Sequence, residues 1–376
     1  MPTFFIALGG LLFSVAALAW FPLPYVFIAA CWLVIIAIFF FQSQTAVQKS
    51  IWFNLAFILG LLAALEIYSY FSLKEQNGSR LEDEYKQGYF SPSEILGYGP
   101  PGEVTVNSRK LRENQLLYDV KYTIGSNGLR ITPPGKIPNE NECIVFFGDS
   151  LTIGQGVNDH ESMPWIVGTL QAYKVHNFGF HGYGPHQMLS IIENGLIDCK
   201  PRFAIFQTMK AHVYRAAGYA PWDKHGPKYV LRDGRLVRDG HFDDRDELFS
   251  LLKILLETEL EKSQLYRKYQ YSEYRVTDDD IQLYLHIVDT ARRKLVEEFP
   301  GLEFRVVLWD KEPDDRIYLQ VKDGFESLSI RFHLVSDMLP GLRENPEKYE
   351  LNIYDPHPNA LAHQLIAEYV VNKIMD

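Results

Sequence analysis

The sequence is poor in positive charge. Its 37 lysine and arginine residues are outnumbered by 47 aspartate and glutamate residues, which gives a formal net charge of −10. It also lacks any run of lysine or arginine long enough to follow a phosphate backbone, as a nucleic-acid-binding surface requires. Nucleic acid is therefore not an expected partner. Histidine, cysteine and aspartate nowhere show the spacing of a metal site, so we expect no metal and no cofactor.

Charged residues are almost absent from residues 1–72, where Lys49 and Glu66 are the only two. Three apolar stretches in this region are each long enough, or nearly so, to cross about 30 Å of hydrocarbon. We therefore predict a transmembrane region of about three helices, with a proline turn at residues 21–24 between the first two. The apolar stretches cover residues 3–20, 25–42 and 51–72.

The orientation of this region rests on Lys49, the one basic residue in a short loop. The positive-inside rule places loop 43–50 in the cytoplasm and residue 73 onward outside. We predict an inner-membrane protein whose large domain is periplasmic or extracytoplasmic. A cleaved signal peptide is the alternative for the first stretch, but residues 1–5 contain no basic residue. Glu66 within the third stretch is either a functional carboxylate or, as we favour, one that lies near the outer end of the span or is paired inside the bundle.

Cysteine is also scarce, with three residues in the whole chain. Cys31 lies in an apolar stretch, whereas Cys143 and Cys199 lie at the starts of predicted strands. If those strands are neighbours in a parallel sheet, a disulfide bond is geometrically possible. Small buried thiols are common in protein cores, and we expect two free thiols here.

Beyond the membrane region, the pattern changes twice. Residues 73–140 predict a linker with a small β-rich lead-in, including a strand at 117–124. Residues 141–376 alternate strands with helices, apart from an insertion at about 213–275. This alternation predicts a doubly wound parallel α/β sheet, in which ligands bind at the carboxyl ends of the strands. The predicted strands are 143–147, 174–178, 203–208 and 304–309, and the predicted helices are 163–172, 186–195, 248–269, 279–299 and 360–375.

Ser150 follows the first predicted strand, in the sequence Phe-Phe-Gly-Asp-Ser-Leu-Thr-Ile-Gly over residues 146–154. A serine at this place is exposed at the carboxyl end of a strand and flanked by backbone N–H groups. This segment resembles the first block of the SGNH, or GDSL, hydrolase superfamily, and the resemblance extends over about residues 142–374. It implies a flavodoxin-like sheet, an esterase or related acyl-processing activity, and Ser150 as both nucleophile and oxyanion donor.

The second block of that superfamily is answered by Asn-Phe-Gly-Phe-His-Gly over residues 177–182. A glycine lets the backbone approach a developing oxyanion closely, and Gly182 matches the donor position. The third block normally supplies an asparagine, which this sequence lacks near Ala211. His212 is the nearest side chain with an N–H group, so it is either the replacement donor or a structural residue.

The last block is answered by Asp355-Pro-His357-Pro-Asn near the C-terminal helix. The resemblance implies His357 as general base and Asp355 as the residue that orients it. Many superfamily members place this aspartate three residues before the histidine, whereas Asp355 lies two before. Either the tight turn still completes a triad, which we favour, or the site is a Ser–His dyad.

Three further residues flank the glycine loop and are predicted to bind substrate: His181, Tyr183 and His186. The run at residues 222–229 is aromatic and basic enough to bind sugars, although ordinary loop packing is the interpretation we favour.

The predicted function is a membrane-anchored serine esterase that hydrolyses acyl esters, most simply acetyl esters. Its partners would be the lipid bilayer and an acyl-ester substrate, such as an envelope glycan or lipid; the oligomeric state is left open. An O-acyltransferase acting on an envelope polysaccharide would use the same residues. A catalytically inactive glycan-binding scaffold is the third alternative, suggested by the missing asparagine.

Overall fold

The computed structural model describes residue 14 and residues 24–77, 81–85, 88–112, 115–135, 142–244, 260, 262–266 and 276–376. The predicted first span and most of the predicted helix at 248–269 lie outside these residues. The chain divides into two compact units. The first comprises residues 1–80 and 245–275 and is here called the membrane unit, after the prediction made from its sequence. The second, the α/β unit, comprises residues 81–244 and 276–376.

The membrane unit contains helices α1, Pro24–Gln42, and α2, Ala46–Asn77. Helix α1 and the Ala46–Ser72 part of α2 are long and apolar enough to cross a membrane, with mean hydropathies of 2.5 and 1.9. The Thr45 hydroxyl accepts a hydrogen bond from the backbone N–H of Gln48, which caps the start of α2. The cap shortens the predicted loop to three residues and places Lys49 in the first turn of α2.

Glu66 on α2 is buried, with 3% of its surface exposed. Its carboxylate accepts hydrogen bonds from the Ser263 hydroxyl at 2.8 Å and from the backbone N–H groups of Gln264 and Leu265 at 2.6 and 3.0 Å. The carboxylate is therefore paired within the membrane unit, although its partners come from the insertion rather than from another span.

The α/β unit begins with the lead-in and ends at the C-terminal helix. Its strands are β1 Leu81–Glu84, β2 Ser91–Ser93, β3 Gly97–Gly99, β4 Val104–Arg112, β5 Gln115–Ile124, β6 Glu142–Phe147, β7 Lys174–Asn177, β8 Lys200–Thr208, β9 Pro227–Arg232, β10 Arg235–His241, β11 Glu303–Leu308, β12 Phe332–Leu334, β13 Glu350–Asn352 and β14 Asp355–Pro358. Its helices are α3 Ser150–Ile153, α4 Met163–Leu170, α5 Pro185–Glu193, α6 Ala211–Ala216, α7 Asp278–Glu298, α8 Arg316–Ser327, α9 Val335–Met338 and α10 Ala360–Tyr369, the last continued by a π-helical turn at Val370–Ile374.

The central sheet is parallel and has the order β12-β11-β8-β6-β7. Numbered along the chain, its strands follow the order 2-1-3-4-5, which is the flavodoxin-like, doubly wound order. The predicted fold class is therefore confirmed. The chain adds β7 on one side of β6 and then β8, β11 and β12 on the other side, so the switch point of the sheet lies between β6 and β8. Ligands bind at the carboxyl ends of the strands at such a switch point.

Helices cover both faces of the central sheet. Apolar residues of α5, α7 and α8 pack on one face and residues of α4 and α10 on the other. The strands are correspondingly apolar on both sides: five of the six residues of β6 are buried. A strand buried on both faces is typical of a parallel sheet between two helical layers.

The lead-in is a folded part of the α/β unit. Strands β4 and β5 form an antiparallel pair, and alternate residues of both strands are buried. Val106 and Tyr122 on this buried face pack with Ile153 and Phe180, which belong to the predicted site region. The predicted strand at 117–124 is thus one half of a longer hairpin.

The described part of the insertion contains a second hairpin, formed by β9 and β10. Its turn is Asp233-Gly234, and both residues have positive φ angles, 51° and 72°. Asp-Gly is a preferred pair for such two-residue turns, because the paired strands keep their right-handed twist.

Cys143 and Cys199 form a disulfide bond, with their Cα atoms 6.1 Å apart. The expectation of two free thiols is therefore wrong. The reason lies in the strand order: β6 and β8 are hydrogen-bonded neighbours, and Cys143 lies opposite Pro201, two residues after Cys199. This bond is at the amino ends of the strands, away from the edge where ligands bind.

Candidate active site

Ser150 is placed by a tight strand-to-helix turn. Strand β6 ends at Phe147, and α3 begins at Ser150 itself. Gly148 between them has a φ of 150°, and a Cβ atom there would lie 2.1 Å from Thr152 Oγ1. Only glycine fits this position. Asp149 then caps α3 by accepting a hydrogen bond from the Leu151 N–H at 3.0 Å.

The structure brings Ser150, His357 and Asp355 together. His357 Nε2 lies 2.9 Å from Ser150 Oγ, and His357 Nδ1 lies 2.5 Å from Asp355 Oδ1. The short spacing between Asp355 and His357 is accommodated because Asp355 Oδ1 also accepts the backbone N–H of His357 at 3.2 Å. The turn therefore presents the carboxylate to the imidazole, in the geometry of a triad.

Lys110 on β4 forms an ion pair with the other carboxylate oxygen of Asp355. Its ammonium group lies 3.0 Å from Asp355 Oδ2, and both side chains are buried. Burial raises the pKa of Asp355, but the hydrogen bond from His357 and the charges of His357 and Lys110 outweigh it and lower the pKa to about 2. Asp355 is therefore ionised at neutral pH and can hold the Nδ1–H tautomer of His357.

Gly182 has a backbone conformation and surroundings that favour glycine. Its φ is +74°, and a Cβ atom there would lie 2.5 Å from Trp222 Nε1. Within the described part of the chain, neither the N–H of Gly182 nor that of Ser150 donates a hydrogen bond. Both predicted oxyanion donors are thus free to bind a substrate oxygen.

Asn177, the asparagine of the second block, connects the segments that carry Ser150 and Gly182. Its amide nitrogen donates to the Thr152 carbonyl at 3.2 Å, and its amide oxygen accepts the Gly179 N–H at 3.0 Å. One side chain therefore links α3 to the glycine loop that carries Gly182.

Both ring nitrogens of His212 lie close to protein groups. Its Nε2 lies 3.2 Å from Asp149 Oδ2, its Nδ1 lies 3.0 Å from the Thr208 hydroxyl, and the side chain is fully buried. Burial lowers the pKa of His212. Because both ring nitrogens face protein groups, the structure gives His212 a packing role behind Asp149 and does not bring it to the oxyanion position.

Arg215 on α6 is a site residue that sequence reasoning missed. Its guanidinium donates hydrogen bonds to Asp149 Oδ2 at 2.6 Å and to the Tyr183 carbonyl at 2.7 Å. Burial raises the pKa of Asp149, but the charges of Arg215 and His212 outweigh it, so the pKa lies well below its usual range. Arg215 also lines the cavity at Ser150, three residues beyond the predicted donor His212.

The cavity at Ser150 has a volume of about 380 Å³. Ser150, Arg215 and His357 lie along one part of its wall. The apolar part of the wall is formed by Leu151, Met209, Trp309, Tyr318, Leu342, Tyr349 and Pro356, and the remaining polar part by Lys210, Lys311, Glu312 and Glu350. The last four residues form two ion pairs, Lys210–Glu312 and Lys311–Glu350, so together they add no net charge.

None of the three predicted substrate-binding residues lines this cavity. His181 is buried between Gln155 and Tyr89, and burial together with the charge of His357 lowers its pKa to about 3. Tyr183 donates a hydrogen bond to the Tyr98 carbonyl at 2.6 Å, and burial raises its pKa. These two side chains pack against the lead-in instead of facing Ser150.

His186 is fully buried, and its Nε2 lies 2.7 Å from Oδ2 of Asp223, near the start of the 222–229 run. The neighbouring Trp222 is 54% exposed and donates a hydrogen bond from Nε1 to the Gly182 carbonyl at 3.3 Å. His186 therefore anchors a loop that presents an exposed aromatic ring beside Gly182.

Comparisons with known protein families and with curated proteins find no match. A search of solved structures finds 23 similar chains. One is a two-domain esterase (CEX) active on acetylated mannans, at 13% identity and a TM-score of 0.35, with 61% of this chain and 48% of that chain covered. The chain thus spans about half the length of that protein.

Two further similar structures are covered almost completely by this chain. A carbohydrate esterase with divergent catalytic and non-catalytic binding functions matches at 11% identity and a TM-score of 0.40, covering 79% of this chain and 97% of that chain. A catalytic mutant of Axe2, an acetylxylan esterase from Geobacillus stearothermophilus, matches at 14% identity and a TM-score of 0.36, covering 64% and 96%. At identities and TM-scores this low, the function has to follow from the chain's own residues.

Fold and site together indicate what chemistry is possible here. The central sheet has the flavodoxin-like strand order, and Ser150 lies at the carboxyl end of its first strand within hydrogen-bonding distance of His357. A serine hydroxyl next to an imidazole is an arrangement that can support ester hydrolysis. The sheet is of the flavodoxin-like kind that the sequence resemblance implies.

Proposed function

We propose that the protein is a membrane-anchored serine esterase that hydrolyses acetyl esters of a glycan. The observation that carries the proposal is the chain of contacts from Ser150 through His357 to Asp355, at 2.9 and 2.5 Å. A serine hydroxyl is a weak nucleophile unless an adjacent base takes its proton, and this geometry supplies the base. It also argues against a catalytically inactive scaffold.

In the proposed mechanism, Ser150 Oγ attacks the ester carbonyl carbon while His357 Nε2 accepts the hydroxyl proton. Asp355 stabilises the imidazolium that forms. The N–H groups of Ser150 and Gly182 donate to the oxyanion of the tetrahedral intermediate. His357 then protonates the leaving alcohol, which leaves an acyl group on Ser150. A water molecule, deprotonated by His357, releases the acid and restores the serine.

A positive charge near the oxyanion replaces the missing asparagine in this proposal. Arg215 lines the cavity at Ser150, and its guanidinium is held by Asp149 and the Tyr183 carbonyl. Because its pairing is fixed before substrate binds, the charge needs no reorganisation during the reaction. Arg215 therefore positions Asp149 and adds favourable potential where negative charge develops.

The form of the cavity supports a short acyl group on an uncharged alcohol. Its volume of about 380 Å³ is near the lower end of the roughly 300–1,000 Å³ usual for small-molecule sites. Apart from the Arg215–Asp149 pair, its charged wall residues form ion pairs with each other. The exposed ring of Trp222 beside Gly182 offers a flat apolar surface, which suits the C–H face of a sugar.

An extracytoplasmic location for the α/β unit is also part of the proposal. Helices α1 and α2 can serve as membrane spans, and the Cys143–Cys199 bond is of the kind that persists in oxidising compartments. Lys49 at the start of α2 lies where the positive-inside rule expects a cytoplasmic residue. The site would then lie on the side of the membrane where envelope glycans are found.

The test is a comparison of Ser150→Ala with the wild-type protein in hydrolysis of p-nitrophenyl acetate and in labelling by a fluorophosphonate probe. We expect the variant to lose the labelling and nearly all of the hydrolysis, because the activated serine is the nucleophile that attacks both reagents. Ser327→Ala, which changes an exposed serine on α8, is the matched control and should retain both.

Undiminished turnover and labelling of Ser150→Ala would contradict the proposal. A second assay, with an acetylated oligosaccharide and an acceptor glycan, separates the two enzyme alternatives. Release of free acetate supports hydrolysis, whereas acetyl transfer to the acceptor without acetate release would identify an acyltransferase.

A further inference from the structure

Three potential metal ligands from separate segments of the α/β unit meet at one place. Glu94 lies in the loop between β2 and β3, His225 precedes β9, and His241 is the last residue of β10. One ligand atom from each residue lies within 4.8 Å of the other two. The two imidazole rings are nearly parallel, with centroids 4.0 Å apart.

The orientation of the two imidazoles distinguishes this cluster from a chance grouping. His225 Nδ1 lies 3.0 Å from Asp243 Oδ1, and His241 Nδ1 lies 3.4 Å from Asp244 Oδ2. Each ring thus has an aspartate on its Nδ1. For His225, the carboxylate on Nδ1 favours the tautomer in which Nε2 has a free lone pair for a metal ion.

Both Nε2 atoms face Glu94. His225 Nε2 lies 3.8 Å from the Glu94 carboxylate, and His241 Nε2 lies 2.9 Å from the Glu94 carbonyl oxygen. The side chain of Glu94 is 93% exposed and is therefore able to turn towards an ion between the two rings. Three carboxylates, those of Glu94, Asp243 and Asp244, provide negative charge around this point.

We propose that Glu94, His225 and His241 bind a zinc ion, with Asp243 and Asp244 orienting the two histidines. Two imidazole nitrogens and one carboxylate oxygen are a ligand set that Zn²⁺ accepts, and water would complete a tetrahedron. A carbonyl oxygen only accepts, so His241 Nε2 donates its hydrogen to the Glu94 carbonyl in this structure. Ion binding requires that this proton move to Nδ1, beside Asp244, and that Nε2 exchange the carbonyl for the ion.

The site would be structural, since none of its ligands lines the cavity at Ser150. The ion would join the loop between β2 and β3 to the hairpin of β9 and β10. His225 follows Trp222 by three residues, and Trp222 donates to the Gly182 carbonyl. Zinc would therefore steady the segment that carries the exposed ring beside the glycine loop.

We propose no metal site at a second group of potential ligands, which consists of His176, Asp198 and Cys199. The sulfur of Cys199 is bonded to Cys143 and is not available as a thiolate ligand. Zinc uptake by the protein is thus expected at the Glu94 cluster and not at this one.

The experiment uses the full chain, purified in detergent with an affinity tag that contains no histidine. After treatment with a chelator, the protein is dialysed against micromolar ZnCl₂, and bound zinc is measured by inductively coupled plasma mass spectrometry. We expect one zinc ion per chain in the wild-type protein, and at least tenfold weaker binding in His225→Ala and Glu94→Gln. Asp243→Asn should weaken binding by about 10- to 100-fold, the usual range for residues that orient a ligand.

His160→Ala is the matched control, because His160 is an exposed histidine outside the cluster, and it should bind zinc as the wild type does. Glu94→Gln guards against misfolding, since that side chain is almost fully exposed. Added zinc should also raise the melting temperature of the wild-type protein but not that of Glu94→Gln. Absence of zinc uptake by the wild type, or unchanged uptake by both His225→Ala and Glu94→Gln, would overturn the proposal.

Discussion

Asp149, which directly precedes Ser150 in the chain, forms a buried ion pair with Arg215. Removing one partner of such a pair leaves an uncompensated buried charge, which is costly. Asp149 also caps α3, the helix that begins at Ser150. A substitution of Arg215 is therefore expected to affect the position of Ser150 through Asp149.

At this scale we predict that Arg215→Met lowers kcat by about 10²- to 10³-fold, as the loss of one oxyanion-stabilising group does. Arg215→Lys should recover part of the rate, since a lysine keeps the charge but cannot contact Asp149 and the Tyr183 carbonyl in the same fork geometry. Steady-state kinetics with p-nitrophenyl acetate, alongside circular dichroism of each variant, provide the measurement. Equal rates in Arg215→Met and wild type would show that the arginine only fills space.

Ser150, Gly182 and His357 could be predicted because short motifs surround them, and in the structure Ser150 and His357 lie within hydrogen-bonding distance of each other. Lys110 and Arg215 could not be found in the same way, because each is a single charged residue without a motif. Lys110 does have one sequence signal. It continues the alternation of Val106 and Ser108 on the buried face of β4, so a charged residue at that position needs a partner.

Four of the five strands of the central sheet could be predicted from apolar runs, with boundaries within about three residues, whereas the short strand β12 was not predicted. The hairpin of β9 and β10, which lies inside the insertion, was not predicted. Its sequence does contain a signal, because Asp233-Gly234 is a typical turn pair between two alternating apolar segments. Helix α8 has no apolar run and depends on an amphipathic pattern among charged residues. The packing of β6 against β8, and hence the disulfide bond, required the strand order, which sequence patterns alone do not fix.

The disulfide bond leads to a prediction at the scale of these two strands. Opening a bond between residues as far apart as Cys143 and Cys199 typically costs about 2–4 kcal/mol. We therefore expect the double variant Cys143→Ala, Cys199→Ala to melt about 5–10 °C lower than the wild type. Differential scanning fluorimetry in detergent measures this, and Cys31→Ala, which leaves the bond intact, is the control. A melting temperature shared by the double variant and the control would contradict the prediction.

The whole molecule combines a membrane unit with an α/β unit that carries the candidate site. Composition alone separates the apolar first 72 residues from the rest. It does not show that residues 245–275 belong with the N-terminal helices, because no local pattern links them to a carboxylate nearly two hundred residues earlier. Contacts of this kind depend on the complete fold.

The predicted orientation is tested with alkaline phosphatase fused at two places in a bacterial host. Fusion after Asp376 should be active, because the enzyme matures only outside the cytoplasm and the α/β unit is expected there. Fusion after Gln44, in the short turn before α2, should be inactive, because that turn is expected in the cytoplasm. The reverse pattern would place the α/β unit on the cytoplasmic side.

The carboxylate of Glu66 has a practical consequence for producing the protein without its anchor. A soluble fragment that starts after α2 would still contain Ser263, Gln264 and Leu265 but would have lost the acceptor for all three of their hydrogen bonds. Removing only the N-terminal residues would thus leave these three hydrogen-bond donors without their acceptor, and we expect such a fragment to aggregate. We expect a soluble fragment when residues 245–275 are also deleted and replaced by a short flexible linker.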